Sequence, residues 1–95
     1  MSNVNQAVRE QAIQHNIDVI GIGDKLGAKG LTVWLADGSC FPGQNNFQTA
    51  LQNTQDSLKE IYKSLPSDWC MLIEYKPYEP NFYSTVIQDW GTSFM

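Results

Sequence analysis

Two stretches set the architecture of this chain: Leu31-Thr32-Val33-Trp34-Leu35 and Cys70-Met71-Leu72-Ile73-Glu74-Tyr75. Both are short, nearly all apolar and rich in β-branched or aromatic side chains, so each predicts a β-strand. A strand without regular polar alternation is typical of a parallel sheet that is covered on both faces. We therefore expect both strands to lie in such a sheet, with neighbouring strands beside them.

The segment between the two strands predicts a helix. Its apolar residues recur at helical spacing, and Pro66 follows the last of them; they are Phe47, Leu51, Leu58, Ile61, Tyr62 and Leu65. Strand, helix and strand in this order form a βαβ unit. Its crossover requires parallel strands and is almost always right-handed.

Helices are also predicted on both sides of this unit. Apolar residues from Val4 to Leu26 recur at three and four positions, although residues 17–23 could instead form a strand that enters a glycine turn. Thr85 and Gln88 have the spacing of a capping box, which predicts a third helix after residue 85. Residues 36–39 are interpreted as a turn. The predicted order is αβαβα.

The length of the chain limits what this order can build. The chain has 95 residues and a mass of 10.7 kDa, enough for one domain at most. Two strands do not make a stable parallel sheet by themselves. We therefore interpret residues 1–95 as a single segment of a larger α/β protein, incomplete at both ends.

The net charge and the cysteine content of the chain limit which binding partners and which cellular compartment we expect. Ten acidic residues against six Lys and Arg give a net charge of -4, so neither nucleic acid nor an anionic membrane is an expected partner. No apolar run approaches the roughly 20 residues of a membrane span, and residues 1–3 lack the apolar core of a signal peptide, which predicts a cytoplasmic protein. Cys40 and Cys70 form neither a disulfide framework nor a metal-binding pair, so both are expected to be reduced thiols.

Several familiar catalytic motifs are not supported. The glycines between residues 21 and 30 lack the spacing of a nucleotide-binding loop. His15 is the sole histidine and has no partner at metal-ligand spacing, so we expect it on the surface. No serine or cysteine is placed as the nucleophile of a covalent hydrolase.

The end of the second strand carries two charged residues that could take part in binding or catalysis. Because side chains alternate along a strand, Glu74 and Lys76 are predicted on the same face. They lie at the carboxyl end of a parallel strand, where α/β folds bind ligands, and Pro77 and Pro80 stiffen the loop beyond them. A purely structural ion pair between the two side chains explains the pattern equally well.

Trp34 occupies the matching end of the first strand, with Asp37 just beyond it. An indole beside a carboxylate suits a sugar ring, whose C–H faces are apolar and whose hydroxyls are polar. The alternative is a buried core position, since large aromatic side chains are usually buried. Trp69, Trp90 and Phe94 are interpreted as packing residues.

The stretch from Ile73 to Pro80 resembles the E-x-K-P-x-E-P signature of xylose-isomerase-like sugar isomerases, with Tyr75 in place of a proline. A closer resemblance is to the bacterial L-rhamnose isomerase family. It covers nearly the whole chain, and its main segments are residues 31–39, 41–44, 78–80, 82–85 and 88–92.

This resemblance implies a metal-dependent aldose–ketose isomerase built on a (β/α)8 TIM barrel, with the two strands as its fourth and fifth. It implies that Glu74 binds a divalent metal, most often Mn²⁺ and otherwise Mg²⁺ or Co²⁺, together with substrate oxygens. It also implies that Lys76 is catalytic and contacts the oxygen at the first carbon of the sugar. Trp34 would line the sugar pocket, and Glu79 would fix a loop or subunit contact. Relatives of this type form homotetramers.

The resemblance places the remaining metal ligands on later strands, so we expect this segment to be inactive alone. It also puts Cys40 and Cys70 at opposite ends of the barrel, too far apart for a disulfide. The alternative is a small α/β protein-interaction module without catalysis. In that interpretation Glu74 and Lys76 form only an ion pair, and Trp90, Phe94 and Met95 form an exposed patch that binds a partner.

Overall fold

The computed structural model describes residues 1–41, 43–77 and 84–95. These residues form three helices and four strands, in the order α1 Gln6–Lys25, β1 Gly30–Leu35, β2 Gly38–Ser39, α2 Phe47–Lys63, β3 Cys70–Tyr75, β4 Ser84–Thr85 and α3 Trp90–Phe94. The two long helices and the two long strands lie where the sequence predicts them. The alternative strand at residues 17–23 is wrong, because these residues continue α1.

Both long helices begin at an asparagine. The Asn5 side chain accepts a hydrogen bond from the backbone N–H of Ala7 at 3.0 Å, and the Asn46 side chain accepts one from the backbone N–H of Thr49 at 2.9 Å. Each bond satisfies an N–H that has no acceptor inside its helix. No helix in the described ranges is long and apolar enough to cross a membrane.

The long strands pair in parallel. The ladder runs in register from Gly30 opposite Cys70 to Leu35 opposite Tyr75, with α2 as the connection between them. This arrangement confirms the predicted βαβ unit and a mixed α/β fold. A (β/α)8 barrel needs eight such strands and the described part of this chain holds two, so the barrel remains a proposal.

The two faces of this sheet differ sharply. Leu31, Val33 and Leu35 are buried, and they form one core with residues of both long helices, among them Ile20 and Ile61. The alternate residues of both strands are exposed; they are Gly30, Thr32 and Trp34 on β1, and Cys70, Leu72 and Glu74 on β3. The expectation that both faces are covered is therefore wrong for the described residues, because both long helices pack on the same face.

The third helix begins later than predicted. Thr85 is not its cap: Thr85 lies in β4, opposite Gly38 of β2, and its hydroxyl donates to the backbone carbonyl of Lys76. The N-cap is Asp89, whose carboxylate accepts from the backbone N–H of Thr92 at 2.8 Å. The capping-box prediction is wrong because the backbone at Thr85 and Val86 pairs with the segment after β1, so the helix begins only at Trp90. The same β2–β4 pairing replaces the turn expected at residues 36–39.

The aromatic residues expected in the core separate into two groups. Trp69 is buried and packs closely on Gly23 of α1, as predicted. Trp90 and Phe94 are 68% and 78% exposed and stack on each other with ring centroids 5.3 Å apart. These two residues, interpreted from the sequence as packing residues, therefore pack on each other at the surface and not in the core, since both lie on a five-residue helix.

The cysteines and the histidine lie at the surface. Cys70 opens β3, whereas Cys40 follows β2, and both thiols are free and exposed. His15 is exposed on α1.

Asp37 anchors the N-terminal segment to the end of β1. Its carboxylate accepts hydrogen bonds of 2.5 Å from the Met1 amino group and from the backbone N–H of Ser2. Burial by itself raises the pKa of Asp37, but these hydrogen bonds and the positive charge of the amino group outweigh it and lower the pKa. The ionised carboxylate therefore stabilises the folded chain.

We expect Ile61→Ala to destabilise the chain strongly. Ile61 has an exposure of 0% at the centre of the core, so truncation leaves a cavity and should lower the free energy of unfolding by about 2–5 kcal/mol. Urea unfolding followed by circular dichroism measures this change. The control is Tyr62→Ala on the exposed side of the same helix, expected within about 0.5 kcal/mol of wild type. Equal losses in the two variants would contradict the assigned core.

We expect the contribution of Asp37 to stability to depend on pH. Its pKa is lowered by folding, so the stabilisation is present above the unfolded-state value, about 3.9, and is lost as the pH falls through the folded-state value. Asp37→Asn should lower the free energy of unfolding by about 1 kcal/mol at pH 7, because the site is partly open to solvent. The difference from wild type should shrink as the pH is lowered below 4, in urea titrations. Asp56→Asn, an exposed carboxylate on α2, is the control. A difference that grows on acidification would refute this assignment.

Candidate functional site

The carboxyl ends of β1 and β3 lie at one edge of the sheet because the strands are parallel. This is the edge at which α/β proteins bind ligands. It brings together residues that are forty positions apart in the sequence.

Trp34 and Glu74 are neighbours at this edge. They are register partners in the ladder, and both belong to the uncovered face of the sheet. The Trp34 side chain is 62% exposed, so the alternative that it is a core residue is wrong for this chain. The structure therefore places an indole beside a carboxylate on an open surface, as predicted, while the roles of the two residues stay predictions.

Lys76 is the first residue after Tyr75, which ends the ladder, and it is half-buried. Its backbone carbonyl accepts a hydrogen bond of 2.6 Å from the Thr85 hydroxyl. That its ammonium group shares a face with Glu74 stays a prediction. Glu79, Pro80 and the rest of residues 78–83 lie outside the described residues, and so does that part of the signature.

The salt bridges among the described residues lie elsewhere in the molecule. They join Met1 to Asp37, Lys29 to Asp68 and Lys63 to Glu60. Glu74 belongs to none of these pairs, and a structural ion pair between Glu74 and Lys76 stays an alternative prediction. The Glu74 carboxylate is exposed on the open face.

A carboxylate oxygen is a suitable ligand for a hard divalent cation such as Mn²⁺ or Mg²⁺. Within residues 1–41, 43–77 and 84–95, no three His, Cys, Asp or Glu side chains come together at metal-binding distance. That Glu74 binds a divalent metal therefore stays a prediction.

A second set of contacts at this edge was not predicted from the sequence. Gly38 and Ser39 pair with Thr85 and Ser84, and the backbone N–H of Val86 donates to the carbonyl of Asp37 at 2.8 Å. These contacts join the segment after β1 to the segment before α3. Strands of two residues are too short to show a periodic pattern in the sequence. The sequence analysis noted Asp37 just after Trp34, but it did not predict that this segment pairs with another strand.

A cavity of about 400 Å³ lies beside these contacts, and its wall is partly polar and partly apolar. Asp37, Gly38, Asn45 and Asn46 line it together with residues 1–4. The polar groups of its wall are engaged in the fold: Asn46 caps α2, Asn45 donates to the Gly38 carbonyl, and Asp37 accepts from Met1 and Ser2. We therefore interpret the residues around this cavity as structural: their polar groups hold the segments at the carboxyl ends of the strands in place.

The chain is similar in sequence to known proteins of one named class. No protein-family model matches the chain. Over all 95 residues it is 52% identical to a protein of Rhizobium meliloti (strain 1021) and 50% identical to one of Mesorhizobium japonicum, each named "probable sugar isomerase". The chain spans 22% of the length of each relative. The chain is thus similar, from end to end, to about a fifth of two probable sugar isomerases, the class of enzyme that the sequence resemblance implies, and neither name specifies a sugar.

Proposed function

We propose that this chain is a segment of a metal-dependent sugar isomerase of the L-rhamnose isomerase type, which interconverts an aldose and a ketose. The observation that carries the proposal is the pairing of Trp34 with Glu74 on the open face at the carboxyl ends of two parallel strands. The names of the two relatives support the sugar isomerase class.

The proposal includes a (β/α)8 barrel for the whole protein. In such a barrel the helices form an outer ring, and side chains of the opposite face fill the interior. The sheet here has the matching asymmetry, since α1 and α2 cover one face and leave Trp34 and Glu74 on the other. We propose β1 and β3 as neighbouring barrel strands, the fourth and fifth, in a cytoplasmic homotetramer.

Glu74 would be this chain's ligand to a divalent metal ion, Mn²⁺ in the first instance. When bound, the ion polarises the carbonyl of the open-chain sugar. Its remaining ligands would come from other segments of the protein, because no three His, Cys, Asp or Glu side chains of the described residues come together and the Asp37 carboxylate is engaged by Met1 and Ser2.

Two further residues would act on the sugar. The Lys76 ammonium group would donate to the oxygen at the first carbon and stabilise the negative charge that develops there as hydrogen moves between neighbouring carbons. The Trp34 indole would provide an apolar wall for the C–H face of the sugar ring and exclude water from it. Pro77, with its fixed φ, would restrict the chain directly after Lys76.

A protein-interaction module is the second candidate function. The stacked side chains of Trp90 and Phe94, with Met95 beside them in the sequence, form an exposed apolar patch that favours it. In that case the patch would bind a partner, and substitutions at Trp34 or Glu74 would have no effect on binding.

We expect Glu74→Gln to abolish most of the isomerase activity of the complete protein that contains this chain. The amide keeps the shape of the side chain but loses the charge that a divalent ion requires, so Mn²⁺ affinity should fall at least tenfold and kcat/KM by about 100-fold or more. Calorimetric Mn²⁺ titration and ketose formation from L-rhamnose measure the two effects. Glu60→Gln is the matched control, since Glu60 is an exposed glutamate on α2. Full activity and metal affinity in Glu74→Gln would end the proposal.

We expect Trp34→Ala to weaken binding of the sugar in the same protein. Loss of the indole wall should raise KM about tenfold or more, and Trp34→Phe should restore part of the affinity because it keeps an aromatic face. Initial rates over a range of sugar concentrations measure this. Trp90→Ala removes another exposed indole and should leave KM unchanged. An unchanged KM in Trp34→Ala would contradict the proposed sugar pocket.

A further inference from the structure

Thr85 is a buried polar residue at the functional edge. It is 2% exposed, although it lies in a strand of only two residues. Its hydroxyl lies 2.6 Å from the carbonyl oxygen of Lys76 and 3.3 Å from that of Ile87. A hydroxyl has one proton to donate, so the shorter contact identifies the Lys76 carbonyl as the main acceptor.

The backbone around Thr85 is held from the other strand. Thr85 pairs with Gly38, Ser84 pairs with Ser39, and the N–H of Val86 donates to the Asp37 carbonyl at 2.8 Å. One residue therefore links the segment after β1, through its backbone, to the segment after β3, through its side chain.

The Thr85 hydrogen bond lies beyond the last paired residues of the β1–β3 ladder. The ladder between β1 and β3 ends at Leu35 and Tyr75, so Lys76 lies one residue beyond the last pair. The Thr85 hydroxyl binds the Lys76 carbonyl at this position and ties it to the end of β1.

We propose that Thr85 is a positioning residue for catalysis. It fixes Lys76 relative to Trp34 and Glu74 at the carboxyl ends of the two strands. The inference rests on the proposed function, because it takes Lys76 as the residue that contacts the sugar. Thr85 acts through its hydroxyl and touches no substrate. Displacement of a substrate-positioning group by about 1 Å can cost 100-fold in rate, so a single backbone anchor at this place matters.

The chain offers a matched control for this role. Thr54 is also 2% exposed, and its hydroxyl also donates to a backbone carbonyl, that of Ala50 at 2.9 Å. Thr54 lies inside α2, and its hydrogen bond joins residues of the same helix. Valine at either position removes a buried hydroxyl and keeps the branched shape of the side chain, so the two variants make the same chemical change and differ in what the hydroxyl holds.

The test uses Thr85→Val, Thr85→Ser and Thr54→Val in the complete isomerase that contains this chain. We expect Thr85→Val to lower kcat/KM for L-rhamnose at least tenfold, mainly through kcat, with Mn²⁺ affinity unchanged. Thr85→Ser keeps the donor and should recover activity to within about threefold, and Thr54→Val should match wild type. Equal losses in Thr85→Val and Thr54→Val, or no recovery in Thr85→Ser, would overturn the inference.

A second measurement does not depend on the sugar. In the 95-residue chain, amide hydrogen exchange at Val86 should be about tenfold faster in Thr85→Val than in wild type, and unchanged in Thr54→Val, because the hydroxyl helps to hold this segment against Asp37. Unchanged exchange in Thr85→Val would refute the link itself. If the exchange result is as expected but the wild-type protein isomerises no sugar, the proposed function has failed and the structural link has not.

Discussion

The parallel pairing of β1 with β3 is the constraint on which the rest of the structure depends. It aligns Gly30 with Cys70 and Leu35 with Tyr75, and so brings two carboxyl ends to the same edge. A parallel pair needs a long crossover, and α2 provides it while also burying Ile61 beneath the sheet. If the register moved by one residue, Trp34 would face a core residue of β3 in place of Glu74.

The two faces of the sheet formed by this pairing differ in what covers them, and the proposed function depends on the uncovered face. Apolar side chains of both helices cover one face, and the other face keeps an indole, a carboxylate and Leu72 open to solvent. The chain spans about a fifth of the length of the two probable sugar isomerases. In the proposed barrel, this open face would line the interior and meet the substrate.

The edge is supported from outside the sheet. Asp37 binds the N-terminal segment through its side chain and Val86 through its carbonyl, and Thr85 reaches back to Lys76. These bonds connect four separate stretches of chain around the ends of two strands. Sites that require exact placement are commonly supported in this way, because ordered second contacts hold the groups that meet the ligand.

The two long helices, the two long strands and their order were predictable from the sequence, because residues close together in the chain set hydrophobic periodicity and β-propensity. The placement of Trp34 beside Glu74 followed from the same local pattern once the strands were taken as parallel. The tertiary structure alone decided which face stays open, where α3 begins and what Thr85 binds. Those features depend on contacts with residues that are distant in the sequence: Thr85 has the local spacing of a helix cap, but its backbone, in β4, pairs with Gly38 of β2, and the helix begins at Trp90.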